Sequence, residues 1–289
     1  MTAPVSIQSL TSALRLFTTI PEGYRAAQVR RAHQGSVYLR GMFVIVDPAD
    51  TTPVHGGDYL VQWDEVLPPS IIGAREKHGS WFVVPAGGGH SQVMGNERMV
   101  LVDGPYPLEG LRAKLLGRVV GYLGHECGRP IEALWPDTGM EGPGLDTVGL
   151  DDLPDQYCVT GDGRCLEPVY PHGARFHMTA IDAAEPGDYV AVYRKPDLTR
   201  HSHRQAMIKR LVTPLPEGWV PSEFWTQGDP MPPVVLLEAH NPPRTYAVPA
   251  DEIMAVHKCL GLYGGPTFRI TKEEARALAA QQRADRGAE

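Results

Sequence analysis

The feature of this chain that most constrains its fold is an internal repeat. Three short segments of the first half recur in the same order in the second half: 57–61 (GDYLV) as 187–191 (GDYVA), 99–103 (MVLVD) as 234–238 (VVLLE), and 116–124 (LGRVVGYLG) as 256–264 (VHKCLGLYG). A duplicated module whose loops later diverged in length would give this pattern. The sequence therefore predicts two divergent copies of one module in tandem.

Each copy consists of short apolar runs that are separated by turn residues. The 289 residues include 31 Gly and 27 Pro, and these residues favour tight turns and interrupt helices. Strands are predicted at 37–39, 43–46, 59–63, 81–84, 99–102 and 115–122 in the first half, and at 175–179, 189–193, 206–212, 234–238, 245–248 and 253–262 in the second. This spacing predicts a mainly β fold with two tandem β-rich modules and short terminal helices.

The domain boundaries follow from the same pattern. We predict an N-terminal helical segment at 1–34, a first β module at 35–124, a Gly/Pro/Asp-rich linker at 125–168, a second β module at 169–265 and a C-terminal helix at 266–289. Within the first segment, 9–17 and 24–33 have helical spacing, which also permits a helix-turn-helix interpretation, although no third helix follows. Thr271 and Glu274 form a capping box at the start of the last helix.

Composition argues against several classes of protein. The net charge of −7 does not favour a protein whose main ligand is nucleic acid, and the densest basic stretch, 194–210, is interpreted as a solvated strand and loop. No apolar run approaches the roughly 20 residues that span a bilayer. The first 16 residues lack the pattern of a secretory signal. We therefore expect a cytoplasmic protein without membrane contact.

A known family shares the order of these segments. A Gly-Asp turn before an apolar strand (187–192), a strand reading IKRL (208–211), an apolar strand (234–238) and a last strand (253–261) resemble the C-terminal domain of LexA-like repressors and the signal-peptidase fold. In the first half, the corresponding segments are Gly57-Asp58, 81–84, 99–103 and GRVVG at 117–121. The resemblance covers about residues 37–124 and 169–264 and rests on short motifs.

The resemblance implies a serine nucleophile in a Ser-Met pair and a lysine base in the IKRL strand. Such a serine needs a base to take its proton, and the lysine must be buried to act as one. Lys209 matches the lysine, but His177-Met178 stands where Ser-Met is expected, and 176–186 contains no serine. Thr179 is a conceivable substitute nucleophile.

The first half lacks the chemistry as well. Residues 42–56 contain no serine, and 81–84 contain no lysine. We therefore assign no catalytic, cofactor-binding or metal-ligating residue, expect no cofactor, and expect Lys209 to lie on a strand with its ammonium at the surface.

Two other groups of residues could form a functional site. His125, Cys127, Cys158 and Cys165 are a possible zinc set because imidazole and thiolate ligands suit that ion, although their spacing is irregular. His177, Asp182, Glu185 and Lys209 could supply acid–base groups to an enzyme that uses a cleft between the two halves.

The favoured function is a non-catalytic interaction or regulatory protein that keeps a LexA-like scaffold without the Ser-Lys dyad. The resemblance implies self-association, so a homodimer is possible and a protein partner is expected, without direct nucleic-acid binding. The alternatives are the cleft enzyme and a structural component of a larger assembly.

Overall fold

The structure is a computed structural model that describes residues 14–30, 37–64, 67–86, 91–94, 97–100, 102–135, 147–201, 204–224, 228–263 and 272–287. The chain divides into a first unit, Met1–Ala133 with Asp229–Pro232, and a second unit, Leu134–Gly228 with Pro233–Glu289. Two eight-stranded sheets dominate the described residues. The prediction of a mainly β chain with two β-rich modules is confirmed. No helix among the described residues is long and apolar enough to cross a membrane.

The first sheet is built from short strands of the first half. Its strands are β1 (Leu16–Phe17), β2 (Arg25–Gln28), β3 (Phe43–Asp47), β4 (Asp58–Val61), β5 (Ser70–Lys77), β6 (Ser80–Pro85), β9 (Asp103–Tyr106) and β10 (Leu115–Leu123), and a separate hairpin joins β7 (Ser91–Met94) to β8 (Glu97–Val100). The short helix α1 spans Leu108–Arg112. The strand order is β2-β3-β10-β4-β5-β6-β9, with β1 parallel to β10.

The second sheet has eight strands, and a C-terminal helix follows it in the chain. Its strands are β11 (Glu132–Ala133), β12 (Gln156–Thr160), β13 (Arg175–Thr179), β14 (Tyr189–Arg194), β15 (Ala206–Leu211), β16 (Val234–His240), β17 (Pro243–Pro249) and β18 (Ile253–Leu262). The order is β11-β17-β16-β15-β14-β18-β13-β12. Short 3-10 helices span Leu150–Asp152, Pro196–His201 and Ala250–Glu252, and α2 spans Lys272–Arg286.

The two sheets share one topology. The order β2-β3-β10-β4-β5-β6-β9 of the first unit corresponds strand for strand to β12-β13-β18-β14-β15-β16-β17 of the second, and every neighbouring pair in both series is antiparallel. Unrelated β-rich segments would not be expected to reproduce seven strand positions. The arrangement therefore supports a duplicated module.

The pairing register agrees at the level of single residues. In β10, Arg118 pairs with Asp47 and with Tyr59, and in β18, Lys258 pairs with Thr179 and with Val190. Both strands then carry one extra residue, Val120 in β10 and Leu260 in β18, where the register shifts. The predicted match therefore holds residue for residue over 117–122 and 257–262.

The other two sequence matches need correction. The amide of Gly56, at φ 87°, donates to the Ala74 carbonyl at 2.8 Å, as the amide of Gly187, at φ 102°, donates to the Leu211 carbonyl at 2.8 Å. Gly56 rather than Gly57 is thus the counterpart of Gly187. Likewise, the counterpart of β16 is β6 and not 99–103, because residues of β8 pair with β7 alone among the described strands. Short apolar runs look alike, and strand pairing distinguishes them.

The N-terminal helix prediction is wrong where it can be examined. Arg25–Gln28 forms β2 along β3, and Leu16–Phe17 forms β1 along β10. Ala26 and Ala27 are buried against the sheet, so pairing and burial override the helix propensity of this stretch. Residues 1–13 and 31–36 lie outside the described residues.

The predicted linker at 125–168 also differs from the structure. The division between the units falls between Ala133 and Leu134, and Gln156–Thr160 pairs along its whole length with β13. Leu134 and Trp135 are 2% and 3% exposed and belong to the core. This part of the chain is therefore structural, while residues 136–146 lie outside the described range.

The C-terminal helix prediction is confirmed by α2, although Thr271 of the predicted capping box lies outside the described residues. Arg276 on α2 forms an ion pair with Asp152 at 2.8 Å, and Arg283 lies 3.8 Å from Asp151. The Gln282 side chain accepts a hydrogen bond from the Asp155 amide at 2.7 Å. Polar contacts thus hold the helix beside the start of β12.

Both faces of the second sheet are covered. Val190 and Val192 of β14 pack into one apolar cluster, while Ala191 and Tyr193 pack into another with Phe176. This is the alternation that a strand with two buried faces requires. The second cluster adjoins the candidate site.

Candidate functional site

A cavity of about 230 Å³ lies within the second unit, at the ends of β12, β13, β14 and β15. Phe176, Ala191, Tyr193 and Ile208, which pack in one apolar cluster, contribute apolar walls, and Lys209 is also among the lining residues. The volume is slightly below the range of about 300–1,000 Å³ that is usual for drug-sized ligands. The cavity therefore suits a small molecule or a single side chain.

Divergence of two strands places Cys165 beside β15. Strand β15 pairs with β16 only through Arg210–Glu238 and Leu211–Leu237. Beyond those pairs, the carbonyl of Cys165 accepts hydrogen bonds from the amides of His240 at 2.7 Å and Asn241 at 3.1 Å. The segment that carries Cys165 is thus fixed by the end of β16, and its thiol lines the cavity.

Lys209 is a buried cation in this site. Lys209 is only 7% exposed. Its Nζ donates hydrogen bonds to the Cys165 Sγ at 3.3 Å and to the Ile208 carbonyl at 3.2 Å. The Tyr246 ring centroid lies 5.7 Å from Nζ, within range of a cation–π contact. Among the described residues, no carboxylate lies within ion-pairing distance of Nζ.

The expectation that the Lys209 ammonium lies at the surface is therefore wrong. Lys209 is buried, and its ammonium donates a hydrogen bond to the Cys165 sulfur. The two residues are 44 positions apart, and no motif spacing links them. Only the cysteine's presence in the sequence could have drawn attention to it.

The substitute nucleophile Thr179 cannot serve Lys209. Thr179 is fully buried, and its hydroxyl oxygen accepts a hydrogen bond from the Ile181 amide at 3.1 Å. It lies on β13, which β18 and β14 separate from β15, so the strands are about 14 Å apart at sheet spacing. The structure does not bring the two residues together.

The other proposed acid–base groups do not converge on Lys209 either. His177 stacks edge-on with Tyr263 at 6.2 Å between ring centroids. Asp182 and Glu185 are exposed, and their charges act on Lys258, whose pKa is raised mainly by its hydrogen bond with Asp188 and to a smaller extent by these two carboxylates. The cleft-enzyme set is thus dispersed over the second unit.

The possible zinc set does not assemble. Within the described ranges, which include His125, Cys127, Cys158 and Cys165, no three His, Cys, Asp or Glu side chains form a group that could hold a metal ion. Cys127 is exposed and accepts a hydrogen bond from the Arg129 guanidinium at 3.4 Å. That hydrogen bond lowers the pKa of the Cys127 thiol, whereas burial raises the pKa of Cys158.

A buried chain of hydrogen bonds begins at the cavity wall. The Tyr193 hydroxyl lies 2.6 Å from the Tyr157 hydroxyl, which lies 3.0 Å from Nδ1 of His257. Burial raises the pKa of Tyr193 to about 12 and lowers the pKa of His257 to about 4. At neutral pH this part of the cavity wall is therefore uncharged.

The buried imidazole makes the stability of the second unit depend on pH. In the unfolded chain His257 takes up a proton below its ordinary pKa of 6.5, but in the folded chain it does so only near pH 4. His257 should therefore leave the free energy of unfolding unchanged above pH 7. It should lower that free energy by about 3 kcal/mol as the pH falls from 6.5 to 4. Urea unfolding at a series of pH values measures this loss.

The matched variants are His257→Gln and His172→Gln. His257→Gln should flatten the profile in this window, whereas the exposed His172 should be replaceable without changing its shape. An unchanged slope in His257→Gln would contradict the assignment.

Several charged side chains of the basic stretch 194–210 form contacts within the second unit. Arg194 and Glu252 form a buried ion pair at 2.9 Å, the Lys195 ammonium donates to the Phe224 carbonyl at 3.0 Å, and Arg210 pairs with Glu238 at 2.6 Å. The interpretation of this stretch as solvated is wrong for Arg194, Lys195 and Lys209, which are all buried. These charges stabilise the unit and do not form a basic surface.

Comparison with known proteins gives no relative: no family model, no curated protein and no solved structure matches this chain. The resemblance to LexA-like domains stays a hypothesis based on short motifs. The function must be argued from the site itself.

Proposed function

We propose that the second unit binds a carboxylate attached to a short apolar group, and that the chain is a binding or regulatory protein rather than a serine–lysine peptidase. The observation that carries this proposal is the Lys209 ammonium. It is buried at a cavity, and the described residues offer it no carboxylate.

The hydrogen bonds of Lys209 leave room for a ligand. An ammonium carries three donors, and Lys209 uses two of them, on the Ile208 carbonyl and the Cys165 sulfur. Neither acceptor is a carboxylate, and a buried cation without a counter-charge is costly. A carboxylate would supply both the charge and a strong acceptor.

The walls favour an apolar group beside that carboxylate. Phe176, Ala191 and Ile208 line the cavity, and the nearby hydroxyl of Tyr193 is already engaged with Tyr157. A chain of a few carbon atoms would displace water from these surfaces, which is favourable. A short-chain organic acid and the C-terminal residue of a protein both have this chemistry.

The position of Thr179 supports the non-peptidase part. Thr179 is separated from Lys209 by two strands and is engaged with its own turn. A C-terminal carboxylate as ligand is also consistent with the protein partner that the LexA-like resemblance implies.

Butyrate is the probe that tests the site by titration calorimetry. We expect wild-type protein to bind butyrate and Lys209→Met to lose roughly tenfold or more in affinity, because a charge-assisted hydrogen bond is removed. Butan-1-ol, which has no charge, should bind weakly or not at all. Lys258→Met is the matched control, since Lys258 pairs with Asp188, just before the neighbouring strand β14. Equal affinity of wild type and Lys209→Met for butyrate would refute the site.

A second pair of probes distinguishes the two sources of the carboxylate. N-acetyl-Ala-Val with a free C-terminus, compared with the same peptide as an amide, reports recognition of a protein C-terminus. Tighter binding of the free acid than of butyrate assigns a protein partner, and the reverse order assigns a small organic acid.

Intact mass over several days tests the non-peptidase part separately. We expect the mass to stay constant. Cleavage at one defined peptide bond that is lost in Lys209→Ala would overturn that part of the proposal.

A further inference from the structure

We propose that Cys165 is a nucleophile that accepts an acyl group inside the cavity, with Lys209 as the hydrogen-bond donor that supports its attack. This inference rests on the proposed binding site, because the apolar acyl chain would occupy the same space as the apolar part of the carboxylate ligand. It goes beyond reversible binding because it predicts a covalent thioester.

Three geometric observations on Cys165 support this proposal. The Cys165 Sγ lies 3.3 Å from the Lys209 Nζ, Cys165 is partly exposed and is one of the residues that line the cavity, and two amides hold the Cys165 carbonyl in place. The main chain of this residue is therefore fixed at the cavity wall.

Lys209 provides what an attacking sulfur needs. A thiol reacts after losing its proton, and a nearby cation stabilises the negative charge that results. The ammonium already donates its hydrogen bond to this sulfur. Low polarity around the pair strengthens that interaction, since Phe176, Ala191 and Ile208 line the same space.

The reaction balances without a further reagent. With an activated ester, the Cys165 sulfur attacks the acyl carbon, a sulfur–carbon bond forms, and the bond from the acyl carbon to the alcohol oxygen breaks. The thiol proton ends on the departing alcohol. The products are one thioester on Cys165 and one free alcohol, and nothing is oxidised or reduced.

The reactivity of the other cysteines determines which variant the experiment should start from. Cys127 is exposed, and its hydrogen bond with Arg129 lowers the pKa of its thiol, so it would react in any case. Burial raises the pKa of Cys158 and of Cys259. A Cys127→Ser background therefore removes the competing thiol and leaves Cys165 to be tested.

The probe is p-nitrophenyl butyrate, added to the full chain carrying Cys127→Ser. We expect a burst of one equivalent of p-nitrophenolate, an increase in intact mass of one butyryl group, and a modified peptide that contains Cys165. Lys209→Met should slow the burst roughly tenfold to a hundredfold, as expected for loss of a hydrogen bond to a charged group. Lys209→Arg, which keeps the charge, should recover part of the rate.

Each outcome is decisive. Butyryl groups on Cys158, Cys259 or Lys209 in place of Cys165, or an unchanged burst in Lys209→Met with an unchanged unfolding midpoint, would overturn the inference. Cys165→Ala should show no burst. The Cys127→Ser parent separates the two proposals: if it binds butyrate in calorimetry but shows no burst, the nucleophile is refuted and the binding site stands.

Discussion

Glu252→Ala should lower the free energy of unfolding of the second unit by about 3–5 kcal/mol, because it leaves the Arg194 guanidinium buried without its counter-charge. The two side chains are 10% and 8% exposed and lie 2.9 Å apart. The Trp135 ring, 5.5 Å from the guanidinium carbon, cannot replace a carboxylate. Urea unfolding followed by tryptophan fluorescence or circular dichroism measures the loss.

Glu238→Ala is the matched control for this prediction. Glu238 also pairs with an arginine of the second sheet, Arg210, at 2.6 Å, but these side chains are 29% and 41% exposed. Solvent screens such a pair, so the cost should be about 1 kcal/mol or less. The double change Arg194→Met with Glu252→Leu should recover most of the stability. If Glu252→Ala cost no more than Glu238→Ala, the buried pair would not have the assigned weight.

Gly117→Ala should lower the free energy of unfolding of the first unit by roughly 3 kcal/mol, since it combines backbone strain with a steric overlap. Gly117 has φ +153°, and a Cβ atom there would lie 2.4 Å from the Asp47 carbonyl oxygen and 2.7 Å from Cγ1 of Val46. The overlap is with the backbone of the neighbouring strand β3, which cannot move without breaking its pairing with β10.

Gly79→Ala isolates the strain from the overlap. Gly79 also has a left-handed φ of +78°, but a Cβ there would meet nothing within 4 Å. Its replacement should therefore cost about 1 kcal/mol. Equal losses for the two variants, measured by urea unfolding, would contradict the close approach of β10 to β3.

The sequence predicts the repeated scaffold well because the strongest repeat lies on the longest central strands. Strands β10 and β18 each lie between two antiparallel neighbours, and β10 also pairs with β1, so their pattern is constrained on both sides. Strand β2 is missed because its sequence, RAAQ, contains no β-branched or aromatic residue, and β12 is missed because it follows the Gly/Pro/Asp-rich stretch. They are placed by pairing with β3 and β13, which is not visible in local composition.

The site could be predicted only in part. Lys209 stands out through its IKRL strand, but its partner does not. Cys165 reaches Lys209 because β15 and β16 diverge beyond the Arg210–Glu238 pair, and because the amides of His240 and Asn241 hold the Cys165 carbonyl. Such a meeting depends on long-range pairing, which single-sequence patterns do not encode.

The most direct test of the central claim is a crystal structure of the protein soaked with methylselenoacetate, a carboxylate whose selenium can be located by anomalous scattering. We predict a selenium peak in the cavity near Phe176 and Ile208, with a carboxylate oxygen about 2.7–3.0 Å from the Lys209 Nζ. A cavity without selenium at saturating concentration, or a carboxylate bound only at surface lysines, would contradict the proposed binding site.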